Sequence, residues 1–285
     1  MKILDKFTLK IKNKQAKIGI GLGDSKYQNH KILKSINEFL INNKSEIFLF
    51  GLKQIINLIK NSKDFKKFNH NIMLIESEDP SKDLISYLIN GKLTAIIRGA
   101  LDSHTFLNEI KNQFRISKIY RLALLETYNG FQFFYAPVGI DECNNKVHKI
   151  DFITHAIKIF DLLKIEPKIS ILSGGRIGDK GRDSNVDNSI NDAEDIVKFF
   201  LKHQPNLEIS HDEILIEKAI LNKSNLIIAP NGISGNLIYR TLVHLGGGKA
   251  YGAIYLDLEK PIIDTSRVGS ETEISGALIL ALALS

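Results

Sequence analysis

Ser266 and Arg267 set a hydroxyl beside a guanidinium just past Asp264 and Thr265, which follow the apolar run Pro261 to Ile263. A guanidinium grips phosphate or carboxylate through paired N–H donors, and a neighbouring hydroxyl can orient the reacting group. The same device occurs earlier, where Leu226 to Ala229 runs into Pro230, Asn231, Gly232, Ile233, Ser234, Gly235 and Asn236. Each loop opens into an apolar helix, the arrangement by which α/β folds bind anions and place catalysis. A third loop, GGRIGDKGRD, follows the apolar run Lys168 to Ser173. Its Gly174, Gly175, Gly178 and Gly181 free the backbone, while Arg176, Lys180 and Arg182 carry positive charge. Glycine-rich backbone lets N–H groups approach an anion and the cations add charge-assisted bonds. A phosphate-type ligand and a plain surface loop are both compatible with this stretch, and it lacks the Gly-Lys-Ser/Thr ending of a Walker loop. Arg98 closes the apolar segment Leu93 to Arg98, an unusual place for a surface arginine.

Other chemistry is weaker. Gly19, Gly21 and Gly23 form GxGxG after the first apolar run, but the third fingerprint glycine of a dinucleotide site is misplaced. Cys143 is expected to be exposed in the loop after the aromatic run, with no assured histidine base. His104 and Thr105 fall in the first turn of a helix that runs to Phe114. His211, Asp212 and Glu213 are adjacent at the head of an expected helix, His211 to Leu221. Adjacent residues do not share a helix face, and first-turn acids complement the helix dipole. No metal site is expected.

The elements that must hold these loops come from alternation. Expected strands at Ala16–Gly21, Glu46–Phe50, Asn71–Ile75, Leu93–Arg98, Lys168–Ser173, Leu226–Ala229 and Ala250–Leu256 are separated by stretches of helical spacing. Ile119–Glu126 and Gly130–Tyr135 read as a strand pair. Alternating strand and helix over 285 residues gives an α/β protein with parallel-type sheets, long enough for two domains. The composition, 44% hydrophobic and 25% charged, is that of a globular chain. No apolar run is long enough to span a bilayer, no leader is expected, and one cysteine suits a reducing compartment. A cytoplasmic protein is therefore expected, with no membrane partner. The charge of +6 is spread through the helices and not gathered into a basic face with aromatics, which argues against nucleic acid and allows attraction of a small anion.

The quoted stretches together resemble a known family. Asn225 to Arg240 is similar to the proline–glycine–asparagine–tyrosine stretch of phosphate acetyl- and butyryltransferases, matching at Pro230, Gly235, Asn236 and Tyr239, with Arg240 replacing lysine. Pro261 to Arg267 resembles their serine–arginine motif, Ile96 to Leu107 their strand and glycine loop, and Ile171 to Arg176 the site of their serine loop. Within that group, LSGGRIGDKGR, HDEILIE and NGISGN look like the methanogen branch called MtxX or methanogenesis marker protein 4. The resemblance covers the chain from about Ala16 onward.

It implies two α/β domains of the phosphotransacetylase and isocitrate/isopropylmalate dehydrogenase type, with the active site in the cleft between them. The first domain would be 1–138 plus 258–285, and the second 139–257. Carried over residue by residue, Ser266 and Arg267 match the pair that serves acyl-phosphate binding and CoA thiol deprotonation. Glu273 stands where the family has a catalytic aspartate. Ser270-x-x-Glu273 is also a capping box for the final helix, so both roles stay open. Substrate-binding positions implied are Arg98, Gly99, Thr105, Ser173, Gly174, Gly175, Arg176, Asn231, Ser234, Gly235 and Asn236. Two departures count against plain acetyl transfer: Glu109 replaces a family arginine, and Ala136-Pro137 replaces an Asp-Cys pair. The function expected is a transferase-like protein of methanogen metabolism that takes an anionic or phosphorylated ligand such as CoA, with no certain cofactor. The alternatives are a methyltransferase subunit acting with corrinoid or coenzyme M partners, although no cobalamin or SAM motif is present, and a non-catalytic ligand-binding factor. Relatives imply a homodimer.

Overall fold

The protein is described by a computed structural model covering residues 1–67 and 70–285. Two compact units result, one of Ile3–Ile119 with Ala250–Ser285 and one of Tyr120–Lys249. The chain crosses between them at 119/120 and 249/250, ahead of the expected 138/139 and 257/258. The reason is strand pairing. The aromatic strand pair is hydrogen-bonded to a strand of the second unit, which carries the whole hairpin there.

The first unit starts with α1 (Ile3–Lys10), β1 (Lys17–Gly21), α2 (Lys26–Ile41), β2 (Glu46–Gly51), α3 (Lys53–Lys60), α4 (Lys63–Lys67), β3 (Ile72–Glu76), α5 (Pro80–Ile89), β4 (Ala95–Ile97) and α6 (Ser103–Phe114). The second contains β5 (Arg121–Glu126), β6 (Gln132–Ala136), α7 (Lys146–Leu163), β7 (Lys168–Leu172), α8 (Ser184–His203), β8 (Glu208–Glu213), α9 (Ile216–Leu221), β9 (Leu226–Ile228) and α10 (Gly232–His244). Then β10 (Lys249–Tyr255), β11 (Ile262–Asp264) and α11 (Glu271–Leu284) complete the first.

In the first unit the strand order is β3-β2-β1-β4-β11-β10, parallel except for β10, which runs antiparallel to β11. The loops after β1, β4 and β11 therefore leave one edge together. Phe50, Leu84, Leu88, Ile96, Phe106, Ile110 and Ile262 form a buried cluster of this unit. Fully burying each such side chain contributes roughly 1.5–3 kcal/mol. Helix α11 is apolar on nearly every side, and Ile274, Leu278, Leu280 and Leu282 are all buried, as a helix without a polar face must be.

In the second unit the order is β5-β6-β9-β7-β8, with β6, β9, β7 and β8 mutually parallel. The loops after β6, β9 and β7 again share an edge. Phe134 of β6 meets Phe160 of α7 edge-on, ring centroids 5.2 Å apart. One element differs from expectation: His211 to Glu213 lie in strand β8, and the helix begins only at Ile216. HDEILIE has helical spacing, but a register shift opposite Ile171/Leu172 extends the strand pairing through it. Asp212 is thereby buried, so these acids are not helix first-turn residues.

Candidate functional site

The Ser266–Arg267 loop stands at the carboxyl end of β11, beside the loop that leaves β4. Glu273, in the first turn of α11, is 3% exposed, and its Oε1 accepts the backbone N–H of Ser266 at 2.7 Å. Ser270 caps α11 by accepting the Glu273 N–H at 3.2 Å. The cap expected from sequence is thus present on the serine side, while the glutamate carboxylate reaches the Ser266 loop. Gly269 makes room for it, since a Cβ there would stand 2.7 Å from Glu273 Oε2. The Ser266 hydroxyl accepts the Val268 N–H at 3.4 Å.

Arg98 is placed differently from an anion grip. It is buried, and its guanidinium donates to the Asp264 carboxylate, to the Leu101 carbonyl at 2.7 Å and to the Thr265 carbonyl. A buried guanidinium has to be paired, and this one ties the β4 loop to the end of β11. Gly99 has φ +63, a left-handed conformation, and a Cβ there would collide with the Gly21 carbonyl. Its own carbonyl accepts the Thr265 hydroxyl at 3.1 Å. Arg98 and Gly99 therefore position the residues that precede Ser266.

Arg267 is 55% exposed and pairs through Nη2 with Oδ1 of Asp102, itself half-exposed. Asp102 is the N-cap of α6, and its Oδ2 accepts the Thr105 N–H at 2.9 Å and the Thr105 hydroxyl at 3.1 Å. The Thr105 N–H holds the Asp102 carboxyl below its ordinary range, with help from the Thr105 hydroxyl and Arg267. The Thr105 hydroxyl, expected at a substrate, is spent on this cap. Asp102 itself escaped the sequence reading. Asp102-x-x-Thr105 signals an N-cap, but nothing in the sequence marks a partner 165 residues away.

In the second unit, the loop after β7 satisfies itself. Ser173 is buried; its hydroxyl donates to the Gly175 carbonyl at 2.8 Å and lies 2.8 Å from His211 Nε2. A hydroxyl has one proton, already given to that carbonyl, so His211 Nε2–H must be the donor to Ser173. Burial lowers the His211 pKa, against nearby Glu194, Glu213 and Asp212, which raise it. The Gly174 N–H donates to Ser189 Oγ at 2.8 Å, Arg182 pairs with Asp179 at 2.6 Å, and Lys180 reaches Glu194 at 3.3 Å. Arg176 projects exposed from the same loop, its N–H donating to Asp179 at 2.9 Å. His211 was visible in the sequence but assigned to a helix, which hid its contact with Ser173.

The loop after β9 is also internally bonded. Asn231 Oδ1 accepts the Ser234 N–H at 3.0 Å, and the Ser234 hydroxyl donates to the Asn231 carbonyl at 3.1 Å, closing a cap on α10. The Asn236 amide donates to the Val138 carbonyl at 2.7 Å. Gly235 is buried where a Cβ would collide with the Pro137 carbonyl, and its own carbonyl accepts the Tyr135 hydroxyl at 3.2 Å. Gly235 and Asn236 thus lock α10 onto the loop after β6, while Asn231 and Ser234 close the cap of its first turn. That loop also holds Cys143, which is buried and not exposed as expected, with burial pushing its thiol pKa up. Among the described residues, no group of three metal-ligating side chains occurs and no helix is long and apolar enough to cross a membrane.

These loop-bearing α/β units define a class. A phosphotransacetylase from Streptococcus pyogenes aligns over 99% of this chain and 98% of its own with a TM-score of 0.72 at 16% identity. 4-Hydroxythreonine-4-phosphate dehydrogenase from Klebsiella pneumoniae aligns over 94% and 99% with a TM-score of 0.57 at 11% identity. The fold is accordingly that of the phosphotransacetylases and related dehydrogenases. The model of the phosphate acetyl/butaryl transferase family matches residues 89–282. A Methanosarcina mazei protein, provisionally named methyltransferase mtx subunit X, is 38% identical over 99% of this chain and 95% of its own length. The chain belongs to the phosphate acetyl/butaryl transferase family, in the branch of the mtx subunit X proteins.

Proposed function

We propose that the chain is a transferase of the phosphate acyltransferase type, acting on an anionic ligand at the Ser266–Arg267 loop. The observation that carries this reading is the joining of Glu273 to Ser266 at 2.7 Å beside a half-exposed Arg267, on the edge where parallel strands end. In such a reaction a CoA-type thiol loses its proton to Glu273, and the thiolate attacks the carbonyl carbon of an acyl phosphate. The C–O bond breaks and phosphate leaves with the electron pair, its charge met by Arg267. Ser266 orients the thiol. Catalysis is by positioning and by charge stabilisation in the transition state. Arg98, Asp264 and Thr265 serve by holding the loop.

The test is thioester formation from CoA with a series of acyl phosphates. Wild type should turn over at least one of them and Arg267→Ala should lose the activity by ~100-fold or more, the scale of removing one transition-state charge donor. Absence of thioester with every acyl phosphate would defeat the reading.

The name of the 38% identical relative favours a second reading, a subunit of a methyltransferase, for which we propose corrinoid or coenzyme M partners. Co-purification of a corrinoid protein with the tagged chain would support it. A cytoplasmic homodimer belongs to the proposal under either chemistry, and a monomer in sedimentation would remove the dimer from it.

A further inference from the structure

We propose that Asp102 is a built-in counter-ion of the Ser266–Arg267 loop, which competes with the anionic ligand for Arg267 and weakens the hold on a doubly charged ligand more than on a singly charged one. The proposal rests on the reading of that loop as an anion site.

Arg267 is the exposed cation of the loop, and one edge of its guanidinium is already taken by Asp102 Oδ1. Its other N–H groups have no hydrogen-bond partner among the described residues. The carboxylate cannot swing aside freely. Its second oxygen is fixed by the Thr105 N–H and hydroxyl, at 2.9 and 3.1 Å, as the cap of α6. Nor can the loop retreat from it, because Ser266 is held by Glu273 and Thr265 by both Gly99 and Arg98. An anion arriving at Arg267 therefore meets a fixed negative charge on the same guanidinium. It must either displace Asp102 from Nη2 or bind beside it on the remaining donors.

The cost rises with the charge of the ligand. Two unit charges about 5 Å apart in water repel enough to weaken binding by ~4-fold, and a dianion doubles the energy, making ~15-fold. Both side chains are half-exposed, so added salt reduces the effect. Arg98 shows the contrasting case in the same unit: its carboxylate partner is buried with it, and no ligand can compete there.

The experiment is calorimetric titration at low ionic strength with sulfate as the dianion and formate as the monoanion. The proteins are wild type, Asp102→Asn, Asp102→Ser and Arg267→Gln, each with its melting temperature recorded. Asparagine and serine both cap helices well, so α6 keeps its acceptor in either variant and one of them suffices if the other folds poorly. Sulfate should bind ~15-fold tighter and formate ~4-fold tighter to the neutral variants, and the gains should shrink as ionic strength rises. Arg267→Gln should lose binding, and adding Asp102→Asn to it should restore nothing. Equal sulfate affinity in wild type and both neutral variants, with Arg267→Gln still defective, overturns the counter-ion and leaves the anion site standing. Equal gains for sulfate and formate overturn the dependence on ligand charge. Failure of wild type and both neutral variants to bind sulfate overturns this proposal together with the anion-site reading.

Discussion

The Ser266–Arg267 loop of the first unit and the Ser173–Arg182 loop of the second unit are similar in composition, each bringing glycine, serine and arginine together after a buried strand. Their bonding differs. In the second-unit loop Arg182 faces Asp179 and Lys180 faces Glu194, all at or near the surface, and the glycines at 178 and 181 have open space where a side chain would go. In the first-unit loop, the chain is anchored beneath by Arg98, Asp264 and Glu273, all buried, while Arg267 alone reaches outward to one half-exposed carboxylate. Positive charge in a glycine-rich loop is therefore a weak indicator of a ligand site by itself. A rigid buried foundation under an exposed cation is a stronger one, because preorganised charge need not reorganise when the ligand arrives.

The largest test of that contrast is the foundation itself. Arg98→Ala leaves the Asp264 carboxylate buried without its guanidinium and should cost about 3–5 kcal/mol in urea unfolding. The pair replaced together, Arg98→Met with Asp264→Leu, should recover much of that. Arg182→Ala in the second-unit loop should leave the urea midpoint unchanged, since exposed pairs contribute little. A large loss there would erase the distinction between the loops.

The next effect in size concerns close packing. Gly235→Ala presses a methyl group onto the Pro137 carbonyl and should cost about 1–3 kcal/mol in the same assay. Gly178→Ala meets no atom within 4 Å and should be neutral. Below this comes Glu273→Gln. It removes the charge that strengthens the bond from the Ser266 N–H, and should lower stability by about 1 kcal/mol while the amide oxygen keeps the contact. If Glu273 also acts as the base, the same variant should lose thioester formation far beyond its loss of stability.

The smallest effect is a pH dependence in the second-unit loop. His211 has a folded-state pKa below 6.5, chiefly from burial. The unfolded chain then binds the proton more readily, so this contribution to stability is full above pH 6.5 and is lost as pH falls toward the lowered folded value. Glu194, Glu213 and Asp212 limit the shift, and Lys218 adds to it. Unfolding midpoints at about pH 7.5 and about pH 5.5 should fall further apart for wild type than for His211→Gln. An unchanged difference would mean that His211 does not couple to the fold of the Ser173 loop.

Much of the fold was legible because buried strands and amphipathic helices write their periods locally. Lys17–Gly21, Glu46–Gly51 and Lys168–Leu172 stand where apolar runs predict them. Strand β8 was not legible, since the register shift that extends the pairing there belongs to two strands at once and HDEILIE alone has helical spacing. The units divide ahead of the expected domain crossings for a similar reason: a loop-like composition marks a turn, whereas a compact unit depends on which strands pair.

The site divides along the same line. Sequence alone determined which residues are chemically able: a hydroxyl and guanidinium at Ser266 and Arg267, glycines where backbones come close, and a carboxylate at Glu273. It also carried the family, through motifs that keep their spacing. Only the tertiary structure decided which of the able residues are committed inside the fold. Arg98 became a buried strut, Thr105 and Ser234 became parts of helix caps, and Asp102 became the partner of Arg267. Residue type sets a side chain's charge and donors, but burial and a neighbour from a distant segment decide whether those donors are already satisfied.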